Sequence, residues 1–144
     1  LSSVAAFDAA FSDLSVDQLY AILALRSEIF VVEQNCVYQD LDGRDREPGA
    51  RHLWLEENGQ AVAALRLLQE SQGHRIGRLV TARQARGRGL AEQLIRKALA
   101  SSEGPWILSG QRHLEAWYEG FGFCRQGEDY LEDGIPHVSM LRPG

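Results

Sequence analysis

The sequence is poor in the features that mark several large classes of protein. No apolar run approaches the ~18 residues that a membrane span needs, so no membrane partner is expected. No basic segment leads into an apolar core at the N-terminus, which argues against a secretory signal. The chain opens on Leu1 rather than Met, as a lost or processed start would. Basic residues do not prevail: 15 Lys and Arg face 20 Asp and Glu, a net charge of −5. Nucleic-acid binders are more often basic overall, so no nucleic-acid partner is expected. Cysteine is scarce. Cys36 and Cys124 lie far apart, with no Cys or His at metal-ligand spacing. That pattern suits two free thiols in a reducing, cytoplasmic setting and gives no metal site. Repeats, low-complexity segments and linkers are missing too. The 144 residues suffice for one domain with a real core, so 1–144 is read as a single domain.

Local patterns place the elements. Residues 4–11 form a weak strand, in an edge position. Ser15-Val16-Asp17-Gln18 is a capping box, and apolar residues from Leu19 to Phe30 recur at helical spacing, which predicts a helix over about 15–31. Residues 35–50 are rich in Asp, Gly and Pro and read as a long loop, of the kind that often carries function. His52–Glu57, Gln60–Glu70 and His74–Thr81 read as a three-strand meander, with Asn58-Gly59 as its first turn. An amphipathic helix follows Gly89, then a short apolar strand at 106–109, parallel to the strand before the helix. A second short helix spans Gln111–Glu119. The tail reads as two strands, about 123–130 and 136–141, around a hairpin turn at Asp133-Gly134.

The turn before the second long helix carries the clearest chemistry. Gln84-Ala85-Arg86-Gly87-Arg88-Gly89 is a Q-x-x-G-x-G pattern. Its glycines permit backbone conformations that other residues avoid and let a ligand approach closely. The helix start supplies free N–H groups and partial positive charge, and Arg86 and Arg88 add full charges. This combination suits the pyrophosphate of a nucleotide-like cofactor. No G-K-[ST] follows the glycines, so a P-loop nucleotide site is a poor alternative. Asp40, Asp42 and Asp45 lack the spacing and distal Glu of a calcium loop.

The cofactor pattern runs through Gln84, Arg86, Gly87, Arg88, Gly89, Leu90 and Ala91, and Trp117–Phe123 lies downstream on the second short helix and its exit. With the element order, these resemble the GNAT superfamily of acetyl-CoA-dependent N-acetyltransferases. Within it the chain is most similar to the ElaA group, through Leu25–Cys36, Tyr38–Asp45 and Tyr130–His137. The resemblance implies an α/β GNAT-like fold: a mixed, mostly antiparallel sheet, splayed at the cofactor site and flanked by helices. It implies acetyl-CoA as co-substrate and a small-molecule or peptide amine as acceptor. Direct attack of a primary amine in a ternary complex is the expected reaction. The alternative is a catalytically weak CoA-binding regulatory module. Exposed strand edges leave room for a homodimer.

The same resemblance distributes the roles. Arg86, Gly87, Arg88, Gly89, Leu90 and Ala91 would hold the pyrophosphate. The backbones of Leu79, Val80 and Thr81 would pair with the pantetheine arm, and one N–H of this strand would donate to the oxyanion. Gln111 would contact the cofactor. Tyr118 would protonate the departing thiolate, since a phenol with a pKa near ~10 keeps its proton at neutral pH. For the base, Glu33 comes first, because partial burial raises a carboxyl pKa. His137 is second. His52, His113, the Asp40/Asp42/Asp45 group and a water chain stay open, and the Asp-rich loop is also read as an attractor of cationic amines.

Overall fold

The computed structural model describes residues 3–144. In chain order it comprises β1 (Val4–Ala10), α1 (Val16–Arg26), β2 (Arg51–Glu57), β3 (Gln60–Glu70), β4 (Gly73–Thr81), α2 (Leu90–Ser101), β5 (Trp106–Gln111), α3 (Glu115–Glu119), β6 (Cys124–Arg125), β7 (Tyr130–Glu132) and β8 (Ile135–Arg142). The strands make one sheet in the order β1-β2-β3-β4-β5-β8-β6, and β7 pairs a further stretch of β8. Every pairing is antiparallel except β4 with β5. As expected, β1 is an edge strand.

Helix α1 starts at the capping box: the Ser15 side chain accepts from Gln18 N at 3.0 Å, and Gln18 Oε1 accepts from Ser15 N at 2.9 Å. The helix does not end at its last regular turn. Ser27–Glu33 continues it with the wider π-helical winding. Such winding is rare and is frequently found at functional sites. Both predicted hairpin turns form, with paired positive φ angles at Asn58 and Gly59 (53° and 76°) and at Asp133 and Gly134 (50° and 76°).

Two expectations needed correction. The strand predicted at 123–130 is split into β6 and β7. Gly127 turns into left-handed backbone (φ 86°), and Asp129 leaves the sheet to pair with Arg112 and Arg125. The helix predicted at 111–119 is shorter: Gln111 still belongs to β5, residues 112–114 form a single tight turn, and α3 begins at Glu115.

Burial of β3 is unbroken from Val62 to Leu68. Successive strand side chains point to opposite faces, so such a run requires cover on both. Helices α1 and α2 both pack on β3 and provide that cover. The core draws Ile22, Leu25 and Ile29 from the first helical segment and Leu90, Leu94, Ile95 and Ala98 from α2.

Two local irregularities in β4 matter for the site. Toward β3, the register passes from Ala64↔Val80 to Arg66↔Gly77, so Arg78 and Leu79 together face Leu65. This is a β-bulge, and Arg78 takes a positive φ of 51° within it. Toward β5, pairing stops after Ile76↔Leu108. Beyond that point the two strands part, and among the described residues the β5-side backbone edge of Leu79–Thr81 has no strand beside it.

Candidate active site

A cavity of about 890 Å³ opens where β4 and β5 part. A second, of about 230 Å³, lies against the glycine turn. Thr81, Arg86, Ala91 and Trp117 line both, so the two adjoin. Gly87 and Gly89 have φ of 77° and 74°, the left-handed region that disfavours side chains. Gly89 is the N-cap of α2, and among the described residues no side chain caps the helix. The first N–H groups of α2 therefore remain free to meet an anion. These features fit a diphosphate, as the sequence predicts.

The larger cavity brings together most of the predicted residues: Glu33, Leu79, Val80, Thr81, Gln111, Tyr118 and His137 all contribute to its wall. Arg88 does not. Its guanidinium turns away to Glu57, with Nη1 donating to Oε1 at 3.0 Å, so only its backbone belongs to the turn. Val80 is 3% exposed and its side chain belongs to the core.

Tyr118 is 8% exposed, and its ring lies on Gly110 of β5, where a Cβ would come within 2.7 Å of Cε2. The missing side chain of this glycine is the space the ring occupies. Trp117 meets the same ring edge-on, with centroids 4.9 Å apart. Burial pushes the Tyr118 phenol up to about 12. It is a weaker acid than an ordinary tyrosine and keeps its proton more firmly.

Glu33 reverses its expected behaviour. Its Oε2 accepts from Arg83 Nε at 2.7 Å and from Arg86 Nη1 at 3.1 Å, while Oε1 accepts from Arg86 Nη2. Hydrogen bonds from Arg86 hold its carboxyl below the usual range, outweighing burial, with Arg83 acting in the same direction. A carboxylate so held is not poised as a base. His137 is 8% exposed; its Nδ1–H donates to Ile135 O at 2.7 Å, and Nε2 lies 3.3 Å from Glu132 Oε2. The backbone bond fixes the tautomer and leaves Nε2 as the nitrogen that can exchange a proton. His113 also lines the cavity, whereas His52 is 2% exposed and bonds Asp45 O through Nε2 at 3.0 Å, away from it.

The Asp-rich loop also departs from expectation. Its carboxylates point inward and complete a closed ring with three arginines: Arg26–Asp40–Arg78–Asp42–Arg66–Asp45 and back to Arg26. The contacts span 2.7 to 3.2 Å. Arg78 Nε stands 2.8 Å from Asp40 Oδ1 at an angle that makes an ion pair but no hydrogen bond. Charges balance around the ring, so these aspartates do not serve as a lure for cations. They anchor the loop to α1, β3 and β4. Of the ring, Asp42, Arg66 and Arg78 line the cavity, where the Arg78 Cζ lies 5.4 Å from the centre of the Tyr38 ring.

Comparison with known proteins agrees with this geometry. Residues 12–142 match the model of the acetyltransferase (GNAT) domain. The chain belongs to the GNAT family. It is 42% identical over 139 residues to protein ElaA of Escherichia coli, covering 91% of each chain. It is 49% identical over 138 residues to a UPF0039 protein of Mycobacterium tuberculosis, covering 92% of this chain and 88% of that one. The crystal structure of ElaA superposes with a TM-score of 0.92 over 97% of this GNAT chain and 99% of the other, at 40% identity. An acyl-CoA N-acyltransferase from Pseudomonas aeruginosa gives a TM-score of 0.94 at 42% identity, with 97% and 99% covered. The GNAT fold and the ElaA-like resemblance read from the sequence are therefore shown, and acyl-CoA N-acyltransferase chemistry is the class to which the site belongs.

Sequence reading missed several residues of the wall: Tyr38, Arg66, Arg78, Ser109 and Glu132. Glu132 lies inside the ElaA-like closing segment, which was its one signal. Ser109 hydrogen-bonds the Tyr130 hydroxyl, a contact made only because β5 and β7 share β8 as a neighbour.

Proposed function

We propose that this protein transfers the acetyl group of acetyl-CoA to a primary amine of a small molecule or peptide, by direct attack with both substrates bound. The observation that carries this reading is one continuous cavity. It runs from Arg86 and Ala91 at the helix start, past the parted strands and Tyr118, to Glu132 and His137 on the tail hairpin. Donor and acceptor can meet in it without leaving the protein.

The donor's diphosphate is assigned to the backbone of Arg86–Ala91, with the Arg86 side chain assisting. Its arm is assigned to the open backbone edge of Leu79, Val80 and Thr81, with Gln111 on the opposite strand. Bound acetyl-CoA supplies an activated thioester. A backbone N–H in the bulged part of β4 is assigned to the charge that develops on the thioester oxygen. Tyr118, protonated throughout the working range, donates to the departing sulfur. Nε2 of His137 accepts the proton lost by the amine. The resulting imidazolium would have a partner at each nitrogen, Ile135 O and Glu132. Cys36 also lines the cavity, but its Sγ donates to Gln34 O at 3.7 Å and no acyl-cysteine step is needed.

The test is thiol release from acetyl-CoA over a panel of primary amines. Turnover with at least one amine, lost when His137 is changed to Ala, is expected. CoA binding without turnover on any amine would favour a regulatory CoA-binding module instead.

A further inference from the structure

Glu33 closes the π-helical segment and lines the cavity between the donor turn and the ring-anchored wall. Both of its oxygens are occupied by arginines of the segment that leads into α2. Arg86 is the cationic side chain that lines both cavities, so it belongs at once to Glu33 and to the diphosphate site. Its bidentate grip on Glu33 uses the same fork of N–H groups that a phosphate would take. A diphosphate carries more charge than one carboxylate and is also held by the free N–H groups of α2, so it wins Arg86 on binding. Glu33 is then left with Arg83 alone, which is 70% exposed. An exposed pair of that kind contributes little.

We propose that Glu33 is the residue that receives the protonated amine of the acceptor, and that it becomes available only when the donor's diphosphate draws Arg86 away. Before donor binding, two arginines flank the one carboxylate, and this part of the wall carries a net positive charge. Afterwards it presents one poorly compensated carboxylate beside Ile29 and Phe30, and an ammonium is the ligand that fits. The acceptor class is therefore an amine that arrives charged, and it follows the donor. The inference rests on the donor assignment above.

The experiment compares the full chain with Glu33→Gln and Glu57→Gln by calorimetry, using CoA as the donor probe. Benzylammonium serves as the amine probe, with benzyl alcohol as its uncharged counterpart. Glu33→Gln removes an internal competitor, so CoA should bind roughly two- to five-fold more tightly. Wild-type protein should bind benzylammonium on the order of ten-fold more tightly with CoA present than without it, and benzyl alcohol should show no such difference. In Glu33→Gln the CoA-dependent gain should vanish. Glu57→Gln, which frees Arg88 outside both cavities, should retain it. Equal CoA affinity in wild type and Glu33→Gln overturns the proposal, as does benzylammonium binding that is indifferent to CoA. If CoA binds to none of the three proteins, the donor assignment fails instead.

Discussion

The ring of Tyr118 rests where a side chain on Gly110 would be: a Cβ there would lie 2.7 Å from Cε2 and 3.0 Å from Cδ2. The packing of α3 on β5 thus determines where the hydroxyl sits. Gly110→Ala should displace the ring and lower kcat at least about ten-fold, while CoA affinity changes little. Tyr118→Phe should lower kcat further, on the order of a hundred-fold, by removing the donor altogether. Thiol-release kinetics beside calorimetry separate the two parameters. An unchanged rate in Tyr118→Phe would remove the hydroxyl from the mechanism.

Gly89 offers a contrast. A Cβ there meets nothing closer than Glu92 Oε2 at 3.8 Å, so space is available, but the φ of 74° is unfavourable for any side chain. Gly89→Ala should destabilise the fold by about 1 kcal/mol. Gly89→Val should do more, and should weaken CoA binding at least about ten-fold by crowding the diphosphate. Melting curves with and without CoA would report both effects.

The Arg–Asp ring should be sensitive to loss of any single member. Arg26 is 1% exposed, and its replacement by Ala leaves Asp40 and Asp45 buried with one partner fewer each. A loss of about 3–5 kcal/mol in urea unfolding is expected. A loss below about 1 kcal/mol would mean that water or a neighbouring arginine takes over the role.

Stability should fall with acidity in two stages. Burial depresses the His52 pKa below its ordinary value, despite the bond to Asp45 O. The unfolded chain then takes up more protons than the folded one, so this contribution is complete above about pH 6.5 and erodes as pH falls below it. Asp42 is held at about 2: burial opposes this, but Arg66, the Arg44 N–H and Arg78 prevail. Asp45 is lowered too, against burial, chiefly by Arg26. Their folded-state pKa values lie below the unfolded ones, so their contribution is intact above about pH 4 and is lost as pH falls toward 2. His52→Gln should flatten the first stage and leave the second, as followed by urea midpoints between pH 7 and 3.

Much of the fold was legible because its signals are local. A capping box, two hairpin dipeptides and a glycine turn each act within a few residues, and each formed as read. That the glycine turn and the strand before it share one region was legible for the same reason, since the two are contiguous. The opposite wall of the cavity was not. Glu33 and Arg86 are far apart in the chain, and only the folded structure joins them. Arg66 and Arg78 reach the aspartates through the register of β3 and a bulge in β4 that no pattern announces. The tail strand was overread because Gly127, where the backbone reverses its sign of φ, was not taken as a break.

The ring has a consequence for how such a protein can change. Its six members satisfy one another pairwise, so a lone substitution strands two neighbours, and a working replacement needs coordinated changes. Val37 and Leu41, on the same loop, are 92% and 53% exposed and carry no such obligation. New preferences should therefore arise first at such free positions on the loop, while the charged frame beneath passes unaltered from one specificity to the next.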